Sequence, residues 1–266
     1  MRAIAIANQK GGCGKTTTVV NLAAACALKG YRVLAVDMDP QAHATLALGH
    51  CPEQLKLSIY DAIVNERVDL FSVVKSSYIE GLDLAPSNIL LSGAAAELII
   101  RPAREYVLSD KLKTVSKRYD LCIIDCSPSL NILTINALVA SEEVIVPVRT
   151  SYYAIEGLKQ LIQSAETVKQ RYRCKLKSLK ILFTFVEDRT TLCRDVQEQI
   201  RAYFSDRVFD VVIHRCVRLA EAPSAGESAL TYDTRCRGTG EYMALADEVC
   251  NHETKTRTPK KSLVNI

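Results

Sequence analysis

Nine consecutive residues, Gln9-Lys10-Gly11-Gly12-Cys13-Gly14-Lys15-Thr16-Thr17, hold the side-chain types that chemistry on a phosphorylated ligand needs. Three glycines let the backbone turn its N–H groups inward around anionic oxygens, and the start of a following helix adds partial positive charge. Lys15 is placed to reach the β- and γ-phosphates of a nucleotide, and the Thr16 hydroxyl to bind Mg²⁺. The strict form of such a loop has glycine five residues before Gly14. That position is Gln9, and the loop carries a second cation, Lys10, instead. An added positive charge suits a site where negative charge develops on the γ-phosphoryl group. The side chain of Cys13 should matter little, because the loop works through its backbone.

Two acidic strand ends complete the chemistry. Val36-Asp37-Met38-Asp39-Pro40-Gln41 places carboxylates at i and i+2, which point the same way when they end a strand. Beside a triphosphate such groups can hold Mg²⁺ waters or orient an attacking water. The run Leu121-Cys122-Ile123-Ile124-Asp125 is an apolar strand ending in an aspartate, suited to bind Mg²⁺ directly or through water.

Elements must bring these residues together. Continuous apolar runs at 1–7, 32–36, 121–124, 144–148, 179–185 and 208–213, with a shorter one at 82–85, read as buried strands. Helical periodicity lies between them, as in the stretch from Val19 to Ala27 closed by Gly30, and at 154–168 and 191–203. Strands alternating with helices predict an α/β fold, a doubly wound, mostly parallel sheet flanked by helices, of P-loop NTPase type. Such a sheet places ligands beyond the carboxyl ends of its strands, where all three motifs fall. One domain is expected over 1–250, and a polar, basic, flexible tail over 251–266. The stretch 49–80 is the least informative.

Composition narrows the class. Of 266 residues, 48% are hydrophobic and 24% charged, and no apolar run approaches a membrane span. The apolar start runs straight into the glycine loop without a cleavage-site pattern, so a cytoplasmic location is expected. Ten scattered cysteines form no CxxC pair, which argues for buried apolar residues rather than disulfides, metal or an iron–sulfur scaffold. The net charge of +4 decides nothing, but several isolated arginines in the last third suggest a basic surface.

The loop Lys10-Gly-Gly-x-Gly-Lys15-Thr-Thr resembles the deviant Walker A motif of the MinD/ParA superfamily, in which the first lysine reaches across a nucleotide-sandwiched dimer to the partner's ATP. The sequence from Asp37 to Gln41 is similar to that superfamily's D-x-D-P-Q switch. The resemblance implies that Asp39 positions the hydrolytic water and that Asp37 lies nearer the magnesium shell. The stretch Asp125-Cys126-Ser127-Pro128-Ser129 resembles D-x-P-P-S with Ser127 for the first proline, which leaves that loop less stiff. Residues 212–224 resemble the I-P-R-N-V-R-L-x-E-A-P-S text of the ParA/Soj branch, with His214 and Cys216 at its proline and asparagine positions near adenine. His214 is accordingly expected to stack on or hydrogen-bond to the base, and Cys216 to bind the nucleotide through its backbone, without the asparagine's amide.

What the resemblance implies is an ATP- and Mg²⁺-dependent ATPase that partitions chromosome or plasmid DNA. Lys10, Gly11, Gly12, Cys13, Gly14, Lys15, Thr16 and Thr17 would bind nucleotide, Lys10, Lys15 and Asp39 act in hydrolysis, and Thr16, Asp37 and Asp125 serve the metal. An ATP-dependent homodimer would bind double-stranded DNA without sequence preference through Arg189, Arg218, Arg235 and Arg237, which places it on the nucleoid. A ParB-type centromere-binding protein would stimulate its release. An alternative is a relative that positions protein cargo. A MinD-like membrane role would need an amphipathic C-terminal helix, and the tail offers almost no apolar face.

Overall fold

A computed structural model describes residues 1–151, 154–172 and 174–251. In chain order it contains β1 (Arg2–Ile6), α1 (Lys15–Leu28), β2 (Val33–Met38), α2 (His43–Ala47), α3 (Ile59–Val64), α4 (Leu70–Val73), β3 (Lys75–Ser76), β4 (Leu82–Ala85) and α5 (Leu91–Glu97). It continues with α6 (Val107–Val115), β5 (Leu121–Cys126), α7 (Ile132–Ala140), β6 (Glu143–Arg149), α8 (Ala154–Arg171), β7 (Ser178–Thr184), α9 (Thr191–Phe204), α10 (Val217–Glu221), α11 (Ala229–Tyr232) and α12 (Arg237–Asn251). The expected tail beyond Asn251 lies outside the described residues.

The seven strands form one sheet in the order β3-β4-β2-β5-β1-β6-β7. Every pairing is parallel except β3 with β4. The apolar runs are continuous because both faces are covered. Along β1, Ile4 and Ile6 pack with α1 and α12, while Ala3 and Ala5 join the core on the face of α3 to α8. The same alternation sorts Val33 and Ala35 from Leu34 and Val36 on β2, and Leu121 and Ile123 from Cys122 and Ile124 on β5.

That parity decides where the acids point. Asp37 continues the odd positions of β2, and Asp125 those of β5, so both face α1. The two are register partners on adjacent strands, and Asp125 is also the partner of Ile6, the last residue before the glycine loop.

One expected strand is absent. Among the described residues the run 208–213 forms no strand; isolated bridges join Ile181 to Val208 and, just past the run, Val186 to His214. The N–H groups of Phe209 and Ile213 donate to Ile181 and Phe183 of β7, but those of Asp210 and Val211 donate to the carboxylate of Glu248 on α12, at 3.1 and 3.2 Å. A side chain thus replaces the neighbouring strand. The uninformative stretch resolves into α3, α4 and the two-residue β3. The ammonium of Lys111 on α6 secures the intervening turn by donating to the carbonyls of Asn65, Glu66 and Val68.

Candidate nucleotide site

The loop after β1 is built for an anion. Gly12 and Gly14 have φ of 67° and 87°, the left-handed region in which only glycine is unstrained, and Gly14 caps α1. No acidic residue occupies the first turn of this 14-residue helix. Its leading N–H groups and partial positive charge therefore face the loop uncompensated. Remote residues hold the loop's shape. Asn8 donates to the Pro147 carbonyl on β6 at 2.7 Å and accepts from the Lys10 N–H, and the Thr184 hydroxyl on β7 donates to the Cys13 carbonyl at 2.8 Å.

Lys15 is buried, and its ammonium donates to the Lys10 carbonyl at 3.1 Å. Lys10 is exposed, with its ammonium 3.0 Å from the Ser151 hydroxyl. One lysine therefore points into the loop, and the other stands at its rim.

The acids divide into two kinds. Asp37 is fully buried and its oxygens are occupied: Oδ2 accepts from the Thr45 N–H and hydroxyl at 2.9 and 2.7 Å, and Oδ1 from the Asp39 N–H at 3.1 Å. Asp37 thus braces the turn that carries Asp39, and its expected place in the magnesium shell is at most an indirect one. Burial still pushes its carboxyl up to about 6. Asp125 is also buried, yet among the described residues neither oxygen meets a partner in hydrogen-bonding geometry. Burial, and next the charge of Asp37, push its carboxyl well above the usual range. The nearby Thr16 hydroxyl and Lys15 ammonium only partly offset them. A buried carboxylate with both oxygens free beside a second acid fits a hard divalent cation, and Asp125 with the Thr16 hydroxyl would hold it. Asp39 is held by the Gln41 N–H at 3.0 Å and lines the cleft.

Two cavities meet here. One, of about 410 Å³, is lined by Gly11, Gly12, Lys15, Thr16, Asp39 and Pro128. The other, of about 130 Å³ and mostly apolar, is lined by Thr184, Ile213, His214, Cys216, Leu219 and Tyr242. Gly14, Thr17 and Phe185 line both. A pocket lined by the glycine loop, Lys15 and Thr16, sharing residues with an apolar slot, suits a polyphosphate joined to a planar base.

His214 and Cys216 are therefore at the slot, as expected, but His214 has no free nitrogen for a base. Its Nδ1 lies 2.6 Å from Glu241 and its Nε2 3.1 Å from Asp188. Only the ring face remains for contact. Sequence reasoning missed Phe185, Thr184 and Tyr242. Phe185 adopts φ 51°, a conformation that costs a bulky residue about 1–3 kcal/mol, and its ring packs against Gly14. The Tyr242 hydroxyl lies 3.2 Å from that of Thr18, tying α12 to α1.

The four arginines share one surface. Arg189 and Arg235 are exposed, and neither makes an ion pair among the described residues. Arg218 pairs with Glu221 at 2.7 Å and Asp233 at 3.2 Å, and Arg237 with Glu241 at 2.8 Å and Asp188 at 3.6 Å. Asp188 thereby ties Arg237 to the loop of Arg189, and Asp233 ties Arg218 to the turn of Arg235.

Comparison with known proteins agrees with this geometry. A family model described as an AAA domain matches residues 1–178. The sporulation initiation inhibitor protein Soj of Bacillus subtilis is 46% identical over 92% of this chain and 97% of its own. The chromosome partitioning protein ParA of Caulobacter vibrioides is 41% identical over 95% of each. Among solved structures, cobyrinic acid a,c-diamide synthase from Mycobacterium smegmatis, with bound ATP analogue and magnesium, superposes with a TM-score of 0.83 at 34% identity, over 97% of each chain. With its glycine loop, its strand-end acids and relatives of this similarity along nearly its whole length, the chain belongs to the ParA/Soj family of deviant Walker A ATPases.

Proposed function

We propose that this protein is an ATP- and Mg²⁺-dependent DNA-partition ATPase. The observation that carries the reading is the convergence of the glycine loop, Lys15, Thr16 and Asp39 on one cleft that shares residues with a base-sized slot, with the buried Asp125 beside Thr16 and Lys15. Bound Mg²⁺ would neutralise phosphate charge in that cleft. The chain's own residues do the rest. Loop N–H groups and Lys15 bind and orient the phosphates, Asp39 orients the attacking water, and Asp37 holds the Asp39 turn through its bonds to Thr45.

Lys10, exposed at the rim, can extend to a nucleotide held by a second copy, so the proposed ATP state is a dimer with the nucleotides between its subunits. Lys10→Ala is expected to retain ATP binding and lose ATP-dependent dimerisation, measured by light scattering with and without ATP. An undiminished dimer would remove Lys10 from that role. Asp39→Ala is expected to slow hydrolysis by on the order of 10²-fold or more while leaving a long-lived ATP dimer. Phosphate release and light scattering on one sample check both, and normal turnover would displace Asp39 from the mechanism.

The basic surface would take the phosphates of double-stranded DNA without regard to sequence. Arg189 and Arg235 are available directly, whereas Arg218 and Arg237 must exchange carboxylate partners for phosphate. A ParB-type protein on the cargo DNA would stimulate hydrolysis and release, and the site of action would be the nucleoid. No helix among the described residues is long and apolar enough to cross a membrane. The synthase among the solved structures shares less of the sequence than the two partition proteins, so its named reaction is not carried over.

The test is binding to an unrelated duplex with ADP, and with ATP and Mg²⁺, at two salt concentrations. DNA bound only with ATP and released as salt rises supports the reading. ATP bound without DNA, even at low salt, removes the partition role and leaves a cargo-positioning ATPase.

A further inference from the structure

His214 stands where the family text has proline. Proline would fix φ at that point of the slot wall and could donate no N–H. Here the N–H of His214 donates to Glu241 Oε2 at 2.9 Å, and its Nδ1 lies 2.6 Å from Oε1 of the same carboxylate. Glu241 thus grips the backbone and the ring of one residue at once. It lies in the first turns of α12, and its side chain is only 15% exposed. Oε1 also accepts from Arg237 Nε at 2.8 Å, and Asp188 closes the arrangement by contacting both His214 Nε2 and Arg237. The result is a closed ring of polar contacts, His214–Glu241–Arg237–Asp188, with one side on the slot and the other on the basic surface.

We propose that Glu241 is the positioning residue of the base slot. By holding the backbone and ring of His214 it supplies the rigidity that a proline at this position would give, and it presents the imidazole face as the slot wall. This rests on the reading of the slot as the base site. A hydrogen bond between a carboxylate and a ring nitrogen fixes a ring's plane. Loss of either bond frees His214 to turn into a cavity of only about 130 Å³.

The experiment is a double-mutant cycle with Glu241→Gln and His214→Pro. It is read by equilibrium binding of ATP and, separately, of inorganic tripolyphosphate, which has no base. Glu241→Gln is expected to weaken ATP binding roughly tenfold and leave tripolyphosphate binding unchanged. On the His214→Pro background the same change is expected to cost less than about twofold. If His214→Pro fails to fold, His214→Ala serves as the second arm, since it too removes the ring that Glu241 grips. Equal loss for both ligands, or equal loss on both backgrounds, makes Glu241 a structural residue only and overturns the proposal. A wild-type protein that binds tripolyphosphate and ATP equally well overturns the reading of the slot itself.

Discussion

Replacing Lys15 by alanine is expected to reduce ATP affinity by roughly 100-fold or more, the loss of one to two hydrogen bonds to a charged group at about 1.5–3 kcal/mol each. The fold should survive. Among the described residues the buried Lys15 donates one hydrogen bond, to the Lys10 carbonyl. Its ammonium also offsets part of the cost of the buried Asp125, so the melting temperature of the nucleotide-free variant should be equal to or somewhat below that of the parent. Titration with a fluorescent ATP analogue, alongside a thermal melt, checks both statements. Affinity within threefold of the parent would place the phosphates elsewhere.

Asp125→Asn is expected to act in opposite directions on stability and function. In the metal-free protein two carboxylates face each other across β2 and β5, one with both oxygens unpartnered. An amide at position 125 removes the repulsion and most of the desolvation, so the variant should be more stable at neutral pH by roughly 1–3 kcal/mol, or several degrees in melting temperature. The sign follows from the direction of the shifts. A carboxyl raised above its unfolded value favours the fold when protonated, and that contribution is lost as pH rises through the folded value. The advantage of the asparagine should therefore be largest at neutral pH and vanish near pH 4. For Asp37, raised to about 6, the same cost builds between about pH 4 and 6. Asp120 runs the other way. Its bond to Arg32 lowers it to about 2, and its contribution is lost only as pH falls toward that value. In return, the variant should lose the added stabilisation that Mg²⁺ gives in the presence of ATP. A gain from Mg²⁺ equal to the parent's would mean that the cation does not rest on Asp125.

Much of this site was legible in the sequence because its key residues end strands. A run of apolar residues closed by an acid gives both the strand and the face of the acid: Asp37 and Asp125 lie in β2 and β5 on the face of α1, and Asp39 follows just past the end of β2. Which of the three is free was not legible. It depends on Thr45, a helical residue eight positions on, whose hydroxyl and N–H occupy Asp37. Phe185, Thr184 and Tyr242 were missed because their partners are far along the chain: Thr184 meets Cys13, and Tyr242 meets Thr18. No local pattern encodes such contacts. The run 208–213 misled for a related reason. It is apolar because it lies against β7 and α12, and burial alone does not distinguish a ladder partner from a cover. Glu241, directly after Gly240 in a polar stretch, had no signal beyond the unusual histidine it serves.

That cover has a consequence for a protein that would crowd onto DNA. An unpaired sheet edge invites pairing with another copy, and the hazard grows with local concentration. This sheet offers little to pair with. At one side it ends in the antiparallel, two-residue β3, which begins with Lys75, too short to template an added strand. At the other, the backbone of β7 is partly spoken for by Phe209 and Ile213, while Glu248 holds the N–H groups between them. Subunits packed side by side on a polyanion would then associate through their nucleotide faces and separate again, with neither sheet edge available to make the contact permanent.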